Sequence, residues 1–271
     1  MKLLISFLLL ILLQSNVVFA GNLSVDQAKT FMQESGLNEL MDTLPEAVKQ
    51  QLNMQRLTAN NDVELPLARR AISSAINAVN GQQLALDYLT KKNGEAGLGE
   101  VLNFLASPLG QRISVEEHAA NTPDAQLEMQ AHAMQMQTTP PPAERIALVK
   151  ELTAALNADQ VILTLMRGTF FSVLDVTRKL NPESAKTLNI EMNNEWQQMK
   201  PALSQKFSQF MEMGAHYSYR NISDTDLSAY IQFLKSPDGQ ASSRAGIELI
   251  DAYMKRFVSE LVLQLSKTKT P

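Results

Sequence analysis

The sequence predicts an all-α protein in which one helical-bundle unit occurs twice, each copy carrying a Ser-Pro-x-Gly helix corner. Three observations carry this. Apolar residues recur at spacings of three and four, with no sustained alternation enriched in β-branched residues. A shift of 129 positions superposes one block of each half without a gap: Tyr88 on Tyr217, Leu98 on Leu227, Leu102 on Ile231, Phe104 on Phe233 and Leu105 on Leu234. The same register continues through Ser107 on Ser236, Pro108 on Pro237, Gly110 on Gly239 and Gln111 on Gln240. Finally, 271 residues with 45% apolar and 19% charged side chains have the composition of a folded chain with a sizeable core.

The chain opens with an export leader. Lys2 gives a positive end, Leu3 to Leu13 form an apolar run interrupted by Ser6, and Val18-Phe19-Ala20 has the small-x-small pattern of a signal-peptidase site. The run is well short of the ~20 apolar residues that span a bilayer. Cleavage is therefore expected after Ala20, delivering the chain to the periplasm with no membrane span. Residues 21–139 then form helical repeat domain 1, Pro140-Pro141-Pro142 a stiff extended linker, and residues 143–271 helical repeat domain 2.

Within these limits the helices can be placed in order. Ser24 with Gln27 has capping-box spacing and starts the first helix. Leu40, Met41 and Leu44 match Val161, Ile162 and Leu165 at a shift of 121, so the copies differ in length upstream of the corner. Leu98, Val101, Leu102 and Leu105 form an apolar stripe. Ser107-Pro108 ends that helix and caps the next, because proline disfavours helical geometry in the residue before it and suits the first helical position. Gly110 in the new first turn allows another helix to come close. Asn181-Pro182 is a further helix start, and the single tryptophan, Trp196, is expected as a half-buried anchor. Ser223 with Asp226 repeats the capping-box spacing ahead of the stripe Leu227, Tyr230, Ile231, Leu234. Ser236, Pro237 and Gly239 repeat the corner, and Ile247, Ile250, Met254, Phe257, Leu261 and Leu265 predict a long amphipathic C-terminal helix.

Tyr88 and Tyr217, each followed by a leucine-led helix and Phe-Leu-x-Ser-Pro-x-Gly-Gln, resemble the C-terminal signature of the bacterial family called domain of unknown function 2059. That signature combines a tyrosine, an acidic helix start and a Phe-Tyr-x-Ser-Pro-x-Gly motif. Ile222-Ser223-Asp224-Thr225-Asp226-Leu227 and Phe233-Leu234-Lys235-Ser236-Pro237-Asp238-Gly239 are similar to it; the first copy has Gly94-Glu95-Ala96-Gly97-Leu98 at the helix start, and both have leucine after the phenylalanine. The resemblance implies a helical, exported bacterial domain and brings no activity, cofactor or catalytic residue.

Chemistry is sparse. A net charge of −4 lacks the basic footprint of nucleic-acid binding, and the absence of Cys removes disulfides, thiolate metal sites and thiol nucleophiles. No Gly-x-Ser-x-Gly elbow, phosphate-cradling glycine loop or His-Glu-x-x-His motif occurs. Glu116-Glu117-His118 places carboxylates beside an imidazole, but adjacent helix residues point apart, so His118 is read as an ordinary, partly exposed residue. Met129, His132 and Met136, at i, i+3 and i+7, form a thioether-imidazole-thioether stripe suited to Cu(I) or Ag(I), or else to packing. In His216-Tyr217-Ser218-Tyr219-Arg220, the Tyr217 ring is expected in the core with its hydroxyl bonded at a helix end. The corner motif is read as structural, although a helix N-terminus with small residues can bind anions. No catalytic residue and no cofactor are expected. The leading function is a non-catalytic interaction module for a protein or envelope component, ahead of a small-molecule or soft-metal binder and of an enzyme of unrecognised type.

Overall fold

A computed structural model describes residues 23–56, 65–91, 98–122, 124–180 and 182–268. The expected leader (1–20), the first-copy helix start at Gly94–Gly97 and Asn181 lie outside the described residues. Within them the chain is all α-helix, in the order α1 (Val25–Glu34), α2 (Leu37–Arg56), α3 (Leu65–Ala78), α4 (Gly81–Lys91), α5 (Leu98–Ala106) and α6 (Pro108–Ala119). There follow α7 (Ala125–Thr138), α8 (Ala143–Ala155), α9 (Ala158–Leu180), α10 (Pro182–Ser218), α11 (Asp224–Lys235) and α12 (Pro237–Thr268). Among the described residues no helix is long and apolar enough to cross a membrane.

Local signals explain most boundaries. Ser24 and Gln27 form the full reciprocal capping box, each side chain bonded to the other's backbone N–H. At α11 only half of the box forms: Ser223 Oγ accepts from the Asp226 N–H at 3.1 Å, while the Asp226 carboxylate turns instead to Arg112 at 2.9 Å. Asn157, at φ 51°, ends α8 in the left-handed conformation that asparagine tolerates at such a position. Pro142, with φ −52° and ψ 148°, has the extended geometry expected before α8.

The two Ser-Pro corners share the same serine cap and the same close approach at glycine. Ser107 Oγ accepts from the Gly110 N–H at 3.0 Å, and Ser236 Oγ from the Gly239 N–H at 3.2 Å. The Gln111 amide donates back to the Ala106 carbonyl and the Gln240 amide to the Leu234 carbonyl. A Cβ on Gly110 would stand 2.3 Å from the Phe104 carbonyl oxygen, and one on Gly239 2.3 Å from that of Phe233. The close neighbour is thus the end of the preceding helix, folded back onto the new one. Because the serine hydroxyls already occupy the glycine N–H groups, the corners spend their caps internally rather than on an anion.

Packing ties the two halves together. The first core joins Phe31, Met41, Leu44, Leu89, Val101 and Leu105 of the first half to Leu249, Ile250, Tyr253, Met254, Phe257 and Leu261 of α12. The second places Ile113 of α6 among Val149 and Leu152 of α8, Tyr219, and Leu227, Tyr230, Ile231 and Leu234 of α11. After each corner, therefore, the chain crosses into the core of the opposite half. A third cluster between α9 and α10 holds Leu163, Phe171, Leu174, Met192 and Trp196. Trp196 is 5% exposed, a buried residue rather than the half-buried anchor expected, because Phe170 and Phe171 pack rings against it.

Candidate functional site

The polar groups of the chain converge where α10 ends. Between Ser218 and the Ser223 cap the backbone makes a tight turn, with the Tyr219, Arg220 and Ile222 N–H groups donating to the Ala215, Tyr217 and Tyr219 carbonyls. Helices from both sides of the proline segment then close on this turn. From α8, the Arg145 guanidinium donates to the Tyr219 carbonyl at 2.5 Å, the Ile222 carbonyl at 3.0 Å and Asp224 at 2.7 Å. From α6, Glu116 accepts from the Asn221 amide at 2.9 Å. From α7, Glu128 accepts from the Tyr217 hydroxyl at 2.6 Å. Arg220 lies over the Tyr217 ring, 3.9 Å from its centroid, and donates to the Tyr217 carbonyl.

At the centre is Glu117 of α6. One carboxyl oxygen, Oε1, accepts from the Tyr219 hydroxyl in a short bond and from the Tyr230 hydroxyl at 3.3 Å. The other, Oε2, is buried without a hydrogen-bond partner, as is the Ser114 hydroxyl three residues earlier. Burial pushes the Glu117 carboxyl well above the usual carboxylate range, against the opposing effect of the two phenols. Burial likewise pushes both tyrosines well above their ordinary value, helped by the adjoining carboxyl, so they stay phenols. Glu117, Tyr219 and Tyr230 are all nearly inaccessible to solvent. A general acid must reach its substrate. Sealed in this way, the cluster can brace helices and hold a proton.

The residues singled out in the sequence fall into three places. Phe104, Ser107, Pro108, Gly110 and Gln111 form one corner and Phe233, Ser236, Pro237, Gly239 and Gln240 the other, and Phe104 of the first stacks on Phe233 of the second. Tyr217 is buried, and its hydroxyl donates to Glu128 in the first turn of α7. Tyr88, half-buried on α4, bonds Glu248 of α12 at 2.7 Å, so each of these aligned tyrosines reaches a carboxylate of the other half.

Met129, His132 and Met136 lie on one half-buried face of α7, with the His132 ring edge-on to Tyr217 at 5.9 Å. Burial, and the charge of Arg220, lower the His132 pKa; burial, Arg145 and His132 itself lower that of His216. Among the described residues, no three His, Asp or Glu side chains gather as a metal-binding group. His118 is exposed, its Nε2 3.9 Å from Glu39.

Sequence reasoning missed Glu117. The signal was its register: Gly110, Ile113, Ser114 and Glu117 share the buried face of α6, and a glutamate in line with small and apolar residues marks a carboxyl carried inward. Taken together, fold and site define an all-α bundle whose polar centre is a tyrosine–carboxylate junction between the two halves of the chain. No family model, curated protein or solved structure matches this chain.

Proposed function

We propose that this chain is an exported bacterial helical protein of the periplasm, made of two fused copies of one helical unit, that works by binding a partner protein rather than by catalysis. The leader-like first 20 residues support export. The matching serine caps of the two corners support duplication, and the corner signature supports kinship with the family called domain of unknown function 2059. The polar groups that converge at the α10 turn serve as struts between helices, which is the work of a scaffold.

The observation that carries the binding function is the outward face of α7. Leu127 is 71% and Met134 70% exposed, and Ala131 between them is exposed too, giving an apolar stripe at i, i+4 and i+7. The opposite face of α7, with Met129, His132 and Met136, is the one turned inward. Such a stripe is the anchor pattern by which a helix docks on a protein groove. The test is a photo-crosslinking side chain at Met134 in intact cells, with one at the exposed Lys186 as reference. One discrete protein adduct is expected from position 134, abolished by Leu127→Asp. Adducts of equal yield at both positions, or adducts untouched by Leu127→Asp, overturn the proposal.

A soft-metal site is the second reading, favoured by the placement of both thioethers and His132 on one half-buried face with His216 nearby. Lowered pKa values keep both imidazoles neutral and able to ligate at neutral pH. Competition for Cu(I) against a chelator tests it: withdrawal of the metal by the protein, lost in His132→Ala, supports the site, and no withdrawal removes it.

A further inference from the structure

Glu117 is a buried acid at the place where the first half of the chain is inserted into the second. Its helix, α6, leaves the first half at the Ser107-Pro108 corner and lays Ile113 into the second core. There the carboxyl meets two phenols on one oxygen and nothing on the other. We propose that Glu117 carries a proton in the folded protein and that this proton is a latch: losing it releases α6 from the second half, so the junction is closed in mild acid and loosens as pH rises.

The geometry supports the latch in three ways. First, the charged groups around Glu117 are engaged elsewhere. Arg145 of α8 is bonded to the Tyr219 and Ile222 carbonyls and Asp224; Arg220 of the turn faces Tyr217 and Glu128; Arg112 of α6 pairs with Asp226 of α11. Glu116 binds Asn221, Glu128 of α7 binds Tyr217, and His118 points toward Glu39. His132 of α7 adjoins Tyr217, and His216, two residues before Ser218, is held toward its neutral form. An ionised Glu117 would be a charge in a sealed core with two phenolic donors and no bonded cation, the arrangement that buried carboxylates avoid by keeping a proton. Second, the neutral acid suits the pocket. Its Oε1 accepts from both tyrosines, while Oε2, on the same buried face of α6 as the unpartnered Ser114 hydroxyl, has no donor to stabilise a charge. Third, the carboxyl is carried into the second core by one helix that comes from the first half, so movement of α6 is the motion that would bring it to water.

The sign follows from linkage. A carboxyl that holds its proton more tightly when closed than when open favours the closed form in full below its open-state titration, and that preference is lost as pH rises from the open-state to the closed-state titration. Over that window the opening equilibrium grows by up to about tenfold for each unit of pH. His216 acts in the opposite direction at its own acid limb, so the Glu117 contribution must be isolated by a variant that keeps shape and loses only the ionisation.

The test is hydrogen exchange of α6 and of residues 216–222 in the purified exported chain at about pH 5 and about pH 8, corrected for intrinsic rates, in wild type and Glu117→Gln. In wild type the protection of α6 is expected to fall by at least about tenfold across that range, and in Glu117→Gln by less than about twofold. An equal fall in the two proteins, or none in wild type, overturns the latch. Should Glu117→Gln fail to fold, wild type alone decides through carbon-13 NMR of the glutamate carboxyls. One carboxyl titrating above the ordinary glutamate range, together with the wild-type loss of protection, supports the latch. All glutamates titrating in the ordinary range overturn it.

Discussion

Phe104 and Phe233 stack face to face, their ring centroids 3.7 Å apart and their planes within 5°. These residues occupy the same position in the two corner motifs, so the contact joins like to like, as residues do across a two-fold interface. Tyr230 also stacks with Phe104, its ring centroid 5.8 Å away and its plane within 8°. The pair therefore links the two corners to the core that contains Glu117.

The stack should couple the two phenylalanines energetically. Replacing each singly and both together with leucine, and measuring stability by urea unfolding, is expected to give an interaction energy of about 1 kcal/mol. Additive losses would falsify the idea that the corners support each other.

Both corner glycines should resist substitution. A methyl group at Gly110 or Gly239 meets a backbone carbonyl, which cannot swing aside as a flexible side chain does. Gly110→Ala and Gly239→Ala are each expected to lose about 2 kcal/mol or more, in the range of core overpacking. Urea midpoints unchanged in either variant would show that the corner can open without cost.

Arg145 is the main fastener of the α10–α11 turn. Its side chain is 13% exposed and satisfies two carbonyls together with Asp224. Arg145→Lys loses the planar fork that reaches both carbonyls and is expected to lose about 1.5–3 kcal/mol. Asp224→Ala, removing the exposed partner of the same guanidinium, should change stability by no more than about 1 kcal/mol. Equal effects in denaturant unfolding would place the weight on the ion pair instead.

His216 sets an acid limb. Its lowered pKa means that the unfolded chain binds a proton more readily than the folded one, so this residue's stabilisation is present above the ordinary histidine value, about 6.5, and is lost as pH falls through that range. Thermal melts in a pH series are expected to show a smaller decline below about pH 6.5 in His216→Gln than in wild type. Parallel curves would mean that another group governs the acid side.

Helix identity was legible because it rests on short-range spacing. Ser24 and Gln27 marked the first cap, and the stripes Leu98–Leu105 and Leu227–Leu234 marked the faces that are buried. The long final helix was equally readable, although Tyr253, Leu249 and Val258 widen its buried face beyond the expected line. Ser107 and Ser236 announced their corners because a serine before proline both ends one helix and caps the next. The direction in which α6 and α12 travel after those corners was not legible, since either half offers an apolar surface and local spacing does not choose between them.

The sequence by itself determined an all-helical chain, two like corners and the glycines that let each corner close, because caps, proline and periodicity act within one or two turns. Only the tertiary structure decided that α12 completes the first core, that α6 enters the second, and that Tyr88 and Tyr217 bond to carboxylates of the opposite half. Glu117 shows the physical reason most plainly. Among sequence neighbours it is one acid beside another. What makes it a proton holder is burial in the packed junction, which outweighs the two phenols more than 100 residues away, Tyr219 and Tyr230, that favour its charged form, and burial is a property of what surrounds a group in space.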